Sequence, residues 1–202
     1  MKTRLLPDLP VDVVTRLYKA FLENIIRIAL QAPCHQHFIY YTGGSSRHPF
    51  LNQFQSRFCL RRQRGKDLGE RMFHAFKNLS RKGFHKIIIV GSDCLTLTPC
   101  DVQSAFRKLD QYDCVLGPSK DGGYYLVGLN KPNKNIFRNI PWGTSVVLKK
   151  TLQRLHSLRT RVSLLRPQQD IDTFADIKRL VKSHSPMLSA LKLVFFLFLW
   201  HI

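Results

Sequence analysis

Residues Lys86 to Cys100 read KIIIVGSDCLTLTPC, and the fold turns on the four apolar residues Ile87–Val90. A β-branched run without polar alternation is the pattern of a strand covered on both faces, and such strands usually belong to parallel sheets. The run therefore predicts a buried parallel strand over Lys86–Val90. Gly91-Ser92-Asp93-Cys94 turns out of it. Thr98-Pro99 then opens a helix, because Thr98 suits the N-cap, Pro99 suits the first helical position and Asp101 complements the dipole.

Working outward, the same two periods recur. Val14, Leu17, Phe21, Ile25 and Ile28 fall at helical spacing and predict a helix over Val11–Leu30. His37–Thr42 is aromatic and β-branched and ends at Gly43-Gly44, which reads as a strand. Ser45–Lys66 is polar and basic, a loop with a short strand near Phe58. Leu68, Met72, Ala75, Phe76 and Leu79 restore helical spacing, and Gly83 is placed to end that helix. Downstream, Asp113–Leu116, Tyr124–Leu129 and Val162–Leu165 read as strands, and Ser145–Leu158 and Thr173–Val181 as amphipathic helices. Strands alternating with helices give an α/β domain with a mostly parallel sheet. No linker divides it, so one domain is expected over residues 1–183, followed by a tail at 184–202.

The composition is lopsided, with 32 Lys and Arg against 13 Asp and Glu and a formal charge of +19. A surface this basic favours anionic partners but says nothing of fold. Basic residues cluster at Arg57–Lys66 and Lys149–Arg166 without a recognition motif or an aromatic platform, so no nucleic-acid partner is expected. Five cysteines without a C-x-x-C pair fit neither a zinc site nor a disulfide framework. With no apolar core in the first ten residues to suggest a signal peptide, a reduced, cytoplasmic protein is expected. The tail carries an unbroken apolar run of eight, Leu193–Trp200. A membrane span needs about 20 such residues. The run could instead pack as a last element or make a peripheral membrane contact beside the basic surface.

Ligands of open α/β sheets bind beyond the carboxyl ends of the strands, and Asp93 sits there, three residues after Val90. A carboxylate in that place either caps its turn or pairs with a divalent cation. Asp121-Gly122-Gly123 has the composition of a hairpin turn. Its glycines also let backbone approach a ligand closely, and Asp121 could accept a proton from a substrate hydroxyl. Lys2 and Arg4 could clamp phosphates. Asp172, in the stretch Gln169–Thr173, could join Asp93 on a metal or cap the following helix.

The ordered set KTRL (Lys2–Leu5), KDLGERM (Lys66–Met72), GSDC (Gly91–Cys94), LGPSKDGGYYLVGL (Leu116–Leu129), IPWGTSVV (Ile140–Val147) and QDIDT (Gln169–Thr173) closely resembles a bacterial family of small transferases. That family is DUF2064, also known as radical-SAM-associated transferase 1 and often described as glycosyltransferases. The resemblance runs from about Lys2 to Leu180, and the DGGYYLVG block is its most specific part. It implies a GT-A-like, nucleotide-diphospho-sugar-transferase fold, a three-layer sandwich with a mostly parallel sheet, whose central first strand is expected to be missing from a chain that starts at Met1-Lys2. It also implies Asp93 as a ligand of a Mg²⁺ or Mn²⁺ cofactor bridging a donor diphosphate, which Asp172 could join. Lys2, Arg4, Asp67, Gly69 and Arg71 would lie at the nucleotide, and Asp121, Gly122, Gly123 and Tyr124 would face the acceptor. The chain departs from the family pattern at its start, at Leu95 where a proline is usual, and in the segment Pro186–Ile202.

The activity so implied is metal-dependent transfer of a sugar from a nucleoside diphosphate-sugar to an acceptor that the residues do not specify. Two alternatives stand beside it. One is a nucleotidyltransferase coupling a nucleoside triphosphate to a phosphorylated acceptor; the other is an inactive remnant that binds anionic surfaces.

Overall fold

The computed structural model describes residues 6–43, 49–92, 94–169 and 174. Lys2, Arg4, Asp93, Asp172 and the apolar tail lie outside them, as does the helix expected over Thr173–Val181 apart from Phe174.

Periodicity and capping explain the long helices. Helix α1 spans Val11–Gln31 and buries Val14, Leu17, Phe21 and Ile28 on one stripe. After strand β1 (Phe38–Tyr41), the short helix α2 (Pro49–Asn52) and strand β2 (Cys59–Arg62), helix α3 covers Leu68–Ser80. Asp67 caps it by accepting from the Glu70 N–H at 2.7 Å. Gly83, at φ +88°, lies just past its end. Strand β3 is Ile87–Val90, and α4, Pro99–Lys108, begins with the Thr98–Asp101 capping box. The hairpin β4 (Cys114–Pro118) and β5 (Tyr124–Leu129) leads through the short α5 (Lys134–Phe137) to α6 (Val147–Ser157) and β6 (Val162–Leu164).

Four strands form one sheet in the order β3-β5-β4-β6, and β1 and β2 form a parallel pair. The α/β class and three-layer arrangement agree with the sequence reading, with one correction. Strand β3 is antiparallel, paired with β5 in the register Ile87↔Leu129 to Val90↔Leu126. Its four apolar residues signal coverage on both faces, which is correct, but direction is set by β5. That strand returns from the hairpin between β3 and β4, so it opposes both. The parallel pairings are β1–β2 and β4–β6.

The two helix layers are distinct. On one side α1 and α4 pack through Ile25, Ile28, Val102 and Ala105 against Ile88, Val90, Val115 and Leu126. On the other, α3, α5 and α6 pack through Phe76, Leu79, Phe137 and Leu155 against Ile87, Ile89, Leu116 and Val127. Phe38 and Tyr40 of β1 pack against this second cluster. Among the described residues no ladder links β1 to β3. The bonds of β1 to β2 run through His37 and Tyr41, and those of β3 to β5 through Gly91. Alternation along each strand therefore turns Phe38, Tyr40, Ile88 and Val90 away from those partners.

Candidate functional site at the carboxyl rim

Strands β2, β3, β4 and β6 all end on one rim, and contacts between their outgoing segments join that rim into a continuous surface. At β3, the Gly91 N–H donates to the Tyr125 carbonyl at 2.9 Å, placing the start of the GSDC turn beside the base of the hairpin. At the hairpin tip, the Gly123 N–H donates to Asp121 Oδ1 at 2.9 Å, a local turn that leaves the carboxylate exposed. Gly122 has φ +90°, and a β-carbon on it would lie 1.9 Å from the Ser145 carbonyl oxygen. Its own carbonyl accepts from the Leu148 N–H at 2.8 Å, so the tip is fastened to the start of α6. A glycine is required there both by conformation and by space.

The hairpin is held on its other side by Gln168. The Gln168 N–H donates to the Pro118 carbonyl and the Lys120 N–H donates to the Gln168 carbonyl, both at 2.9 Å. The Gln168 side-chain amide donates to Asp101 Oδ2 at 3.1 Å. One residue thus ties the hairpin, the segment leading to QDIDT and the helix that follows GSDC.

Asp101 is only 8% exposed, and its carboxylate accepts five hydrogen bonds. Thr98 supplies its N–H at 2.9 Å and its hydroxyl at 2.7 Å. Arg166 supplies Nε to Oδ1 at 2.8 Å and Nη2 to Oδ2 at 2.9 Å, and Gln168 supplies the fifth. Burial pushes the Asp101 carboxyl up, but the donors from Arg166 and Thr98 together outweigh it and hold the group below the usual carboxylate value. The sequence marks Asp101 only as a helix-start residue; its partners 65 and 67 positions away leave no local signal.

A register shift at Gly117/Pro118 skips Tyr125 in the β4–β5 ladder. The two adjacent tyrosines lie on opposite faces, as successive strand residues do. Tyr125 lies over Gly117, where a β-carbon would fall 2.5 Å from its ring, and its hydroxyl donates to the Arg166 carbonyl at 3.2 Å. Tyr124 turns into the cluster under α6, its ring edge-on to Trp142 at 6.3 Å. Its hydroxyl lies beside Thr151 with neither oxygen in hydrogen-bond geometry, and burial raises its pKa well above that of a free phenol.

At the β2 end, Asp67 uses Oδ1 to cap α3, and Arg71 donates Nε to the Gly65 carbonyl at 3.2 Å. Gly69 lies under Trp142: a β-carbon would fall 2.8 Å from Cζ2 of that ring and 2.9 Å from the Phe137 carbonyl oxygen. The KDLGERM segment is thereby joined to IPWGTSVV, and through Ser145 to the hairpin. Of the residues singled out from sequence, the structure gathers Asp67, Gly69, Arg71, Asp121, Gly122, Gly123 and Tyr124 along this rim, with Tyr124 directed into the core. Trp142, Ser145, Arg166 and Gln168, which build the rim, were not among them.

The family described as "Uncharacterized protein conserved in bacteria (DUF2064)" matches residues 25–144, more than half of the chain. The chain belongs to the DUF2064 family. Among solved structures, this DUF2064 chain is similar to a candidate nucleotide-diphospho-sugar transferase from Desulfovibrio desulfuricans G20. The identity is 29% and the TM-score 0.84, over 95% of this chain and 87% of that one. It also shares its fold with CMP:2-keto-3-deoxy-manno-octonic acid synthetase complexed with CTP, at 11% identity and TM-score 0.54, over 79% and 85% of the two chains. Rv0371c from Mycobacterium tuberculosis H37Rv, solved in complex with manganese, matches at 16% identity and TM-score 0.50, over 81% and 86%. No curated protein sequence matches the DUF2064 chain. The fold is thus of the nucleotide-diphospho-sugar-transferase type. Among the described residues, no helix is long and apolar enough to cross a membrane.

Proposed function

We propose that the chain is a transferase that draws on a nucleotide-activated donor, moving a sugar from a nucleoside diphosphate-sugar with the help of Mg²⁺ or Mn²⁺. The observation that carries this reading is the tie made by Gln168. It bonds to Asp101, at the start of the helix that follows GSDC, and to Pro118 and Lys120 of the hairpin that carries Asp121, which supports a shared site at this rim. The relative from Desulfovibrio supports the donor class by its name, and the manganese complex of Rv0371c supports the cation.

The donor set suits a hard divalent ion in kind, since the acids concerned are carboxylates. Among the described residues there is no group of three or more metal-ligating side chains. Asp101 is engaged by Thr98, Arg166 and Gln168, with four of its five bonds on Oδ2, and the proposed ligands are Asp93 and Asp172. A cation held there would neutralise charge on a departing nucleoside diphosphate. Lys2 and Arg4 would contact the phosphates. Gly69 and Arg71 would shape the nucleotide wall, with Asp67 fixing the start of α3 beneath them. Exposed Asp121, on its glycine-bordered tip, would orient or deprotonate the acceptor hydroxyl. Tyr124 would contribute by packing under that tip.

Calorimetric titration with nucleoside diphosphate-sugars and nucleoside triphosphates, with Mn²⁺ present, tests the reading. Diphosphate-sugar binding that Asp93→Ala abolishes is expected. Preferential triphosphate binding would transfer the proposal to nucleotidyl transfer, and no binding of either class would overturn it.

A further inference from the structure

We infer that the outer face of α5 and α6 docks on an anionic lipid bilayer, an interaction independent of the transferase reading above. From Gly122 to Gln169 the sequence holds nine Lys and Arg and no Asp or Glu. Arg161 and Arg166 are paired with Asp113 and Asp101, and Lys131 also acts on Asp113. The other six, Lys134, Arg138, Lys149, Lys150, Arg154 and Arg159, make no ion pair among the described residues. Arg154 Nη2 donates to the Arg138 carbonyl at 3.4 Å, so α6 lies against the end of α5. The inner sides of the two helices bury Ile136, Phe137, Thr151 and Leu155. Five of the six cations are exposed, and Arg154 is half-buried.

Helix α6 is charged against its own stability. Helices α3 and α4 start on the caps Asp67 and Thr98 and carry Glu70 and Asp101 in their first turns, which complements the helix dipole. Helix α6 starts at Val146 without a side-chain cap, and its first turn holds Lys149 and Lys150 but no acid. Lys150 and Arg154, four positions apart, repel each other along the same helix. Local conflicts of this kind mark positions kept for a function rather than for the fold. An anionic surface offsets the dipole and the repulsion together. A bilayer suits this face better than a nucleic acid does. Phe137 is buried and Trp142 lies over Gly69, so neither ring is presented for base stacking. Val146, 39% exposed and three positions before Lys149, sets an apolar side chain among the charges, as at a membrane interface.

The test is flotation of the full chain with vesicles of phosphatidylcholine mixed with phosphatidylserine, and with vesicles of phosphatidylcholine alone. Binding to the mixed vesicles that salt weakens is expected. Lys149→Gln with Lys150→Gln should weaken it about 30-fold, about fivefold for each charge removed. Lys19→Gln with Arg107→Gln removes the same charge from exposed positions of α1 and α4, in the opposite helix layer, and should change binding little. If the α6 variant loses its far-ultraviolet dichroism, Lys134→Gln with Arg138→Gln removes two charges from the end of α5 and takes its place. Equal losses in the variants of both layers would reduce the effect to net charge and overturn the assignment. Equal binding to phosphatidylcholine alone would place the contact on apolar surface and overturn it as well. Tighter binding to a DNA duplex, with the same dependence on Lys149 and Lys150, would give the face to nucleic acid instead. Absence of binding to the mixed vesicles would overturn the docking and leave the donor reading to its own titration.

Discussion

Gly122 and Ser145 meet backbone to backbone: the space a β-carbon on Gly122 would need is filled by the Ser145 carbonyl, 1.9 Å away, at a φ of +90°. Two independent penalties therefore coincide at the hairpin tip. Gly122→Ala should lower stability by about 3 kcal/mol, combining left-handed strain with a clash that no side-chain rotation relieves. Gly143 provides the comparison, since its φ is +80° with nothing within 4 Å of a β-carbon. Gly143→Ala should cost only about 1 kcal/mol. Urea denaturation of both variants gives the measurement, and equal losses would show that the Ser145 contact has no consequence.

The distinction between these glycines marks what the sequence discloses. Asp-Gly-Gly announces a hairpin, but not the α6 backbone that closes on it. Helices α1, α3 and α4 are legible because their apolar stripes are local, and α4 also because Thr98 caps its start. The direction of β3 is not legible: Ile87–Val90 reports burial on two faces, and burial is indifferent to which way a neighbour runs. Helices α2 and α5, four residues each, are too short to show a period. The rim was half visible. Its exposed acids and glycines carry motifs, whereas Arg166, Gln168 and Trp142 gain their roles only from partners far along the chain.

Among the described residues β3 pairs on one side only, which gives an alternating exchange pattern. Ile89 and Gly91 direct their amides at β5, while Ile88 and Val90 direct theirs away from it. Hydrogen exchange followed by NMR should show Ile88 and Val90 losing protection at least about tenfold faster than their neighbours. Uniform protection along Ile87–Gly91 would mean that another segment pairs with this edge.

Asp101 makes the fold acid-sensitive in a defined direction. Folding lowers its carboxyl pKa. Its stabilisation is therefore complete above the unfolded value, about 4, and is lost as pH falls through the lower folded value. Asp101→Asn should cost about 2 kcal/mol at neutral pH, since it leaves buried donors unpaired, and should flatten stability below about pH 4. Urea midpoints between neutrality and strong acid test this, and an unchanged acid limb in the variant would refute it.

Gly69 sets helix propensity against packing. Alanine is favoured over glycine by about 1 kcal/mol inside a helix, so Gly69→Ala taken alone should stabilise α3. The added carbon would, however, fall 2.8 Å from the Trp142 ring and 2.9 Å from the Phe137 carbonyl. The ring is a side chain and can shift, whereas the carbonyl is backbone at the last residue of α5 and moves only with the chain. Overpacking of this kind costs about 1–3 kcal/mol, so packing should prevail and the net change should be destabilising by about 1 kcal/mol. Displacement of the ring from Tyr124 should also shift Trp142 emission to the red. The chain has two tryptophans, and Trp200→Phe leaves Trp142 as the sole emitter. A raised urea midpoint with unchanged emission would mean that α3 yields more readily than the loop that carries Trp142.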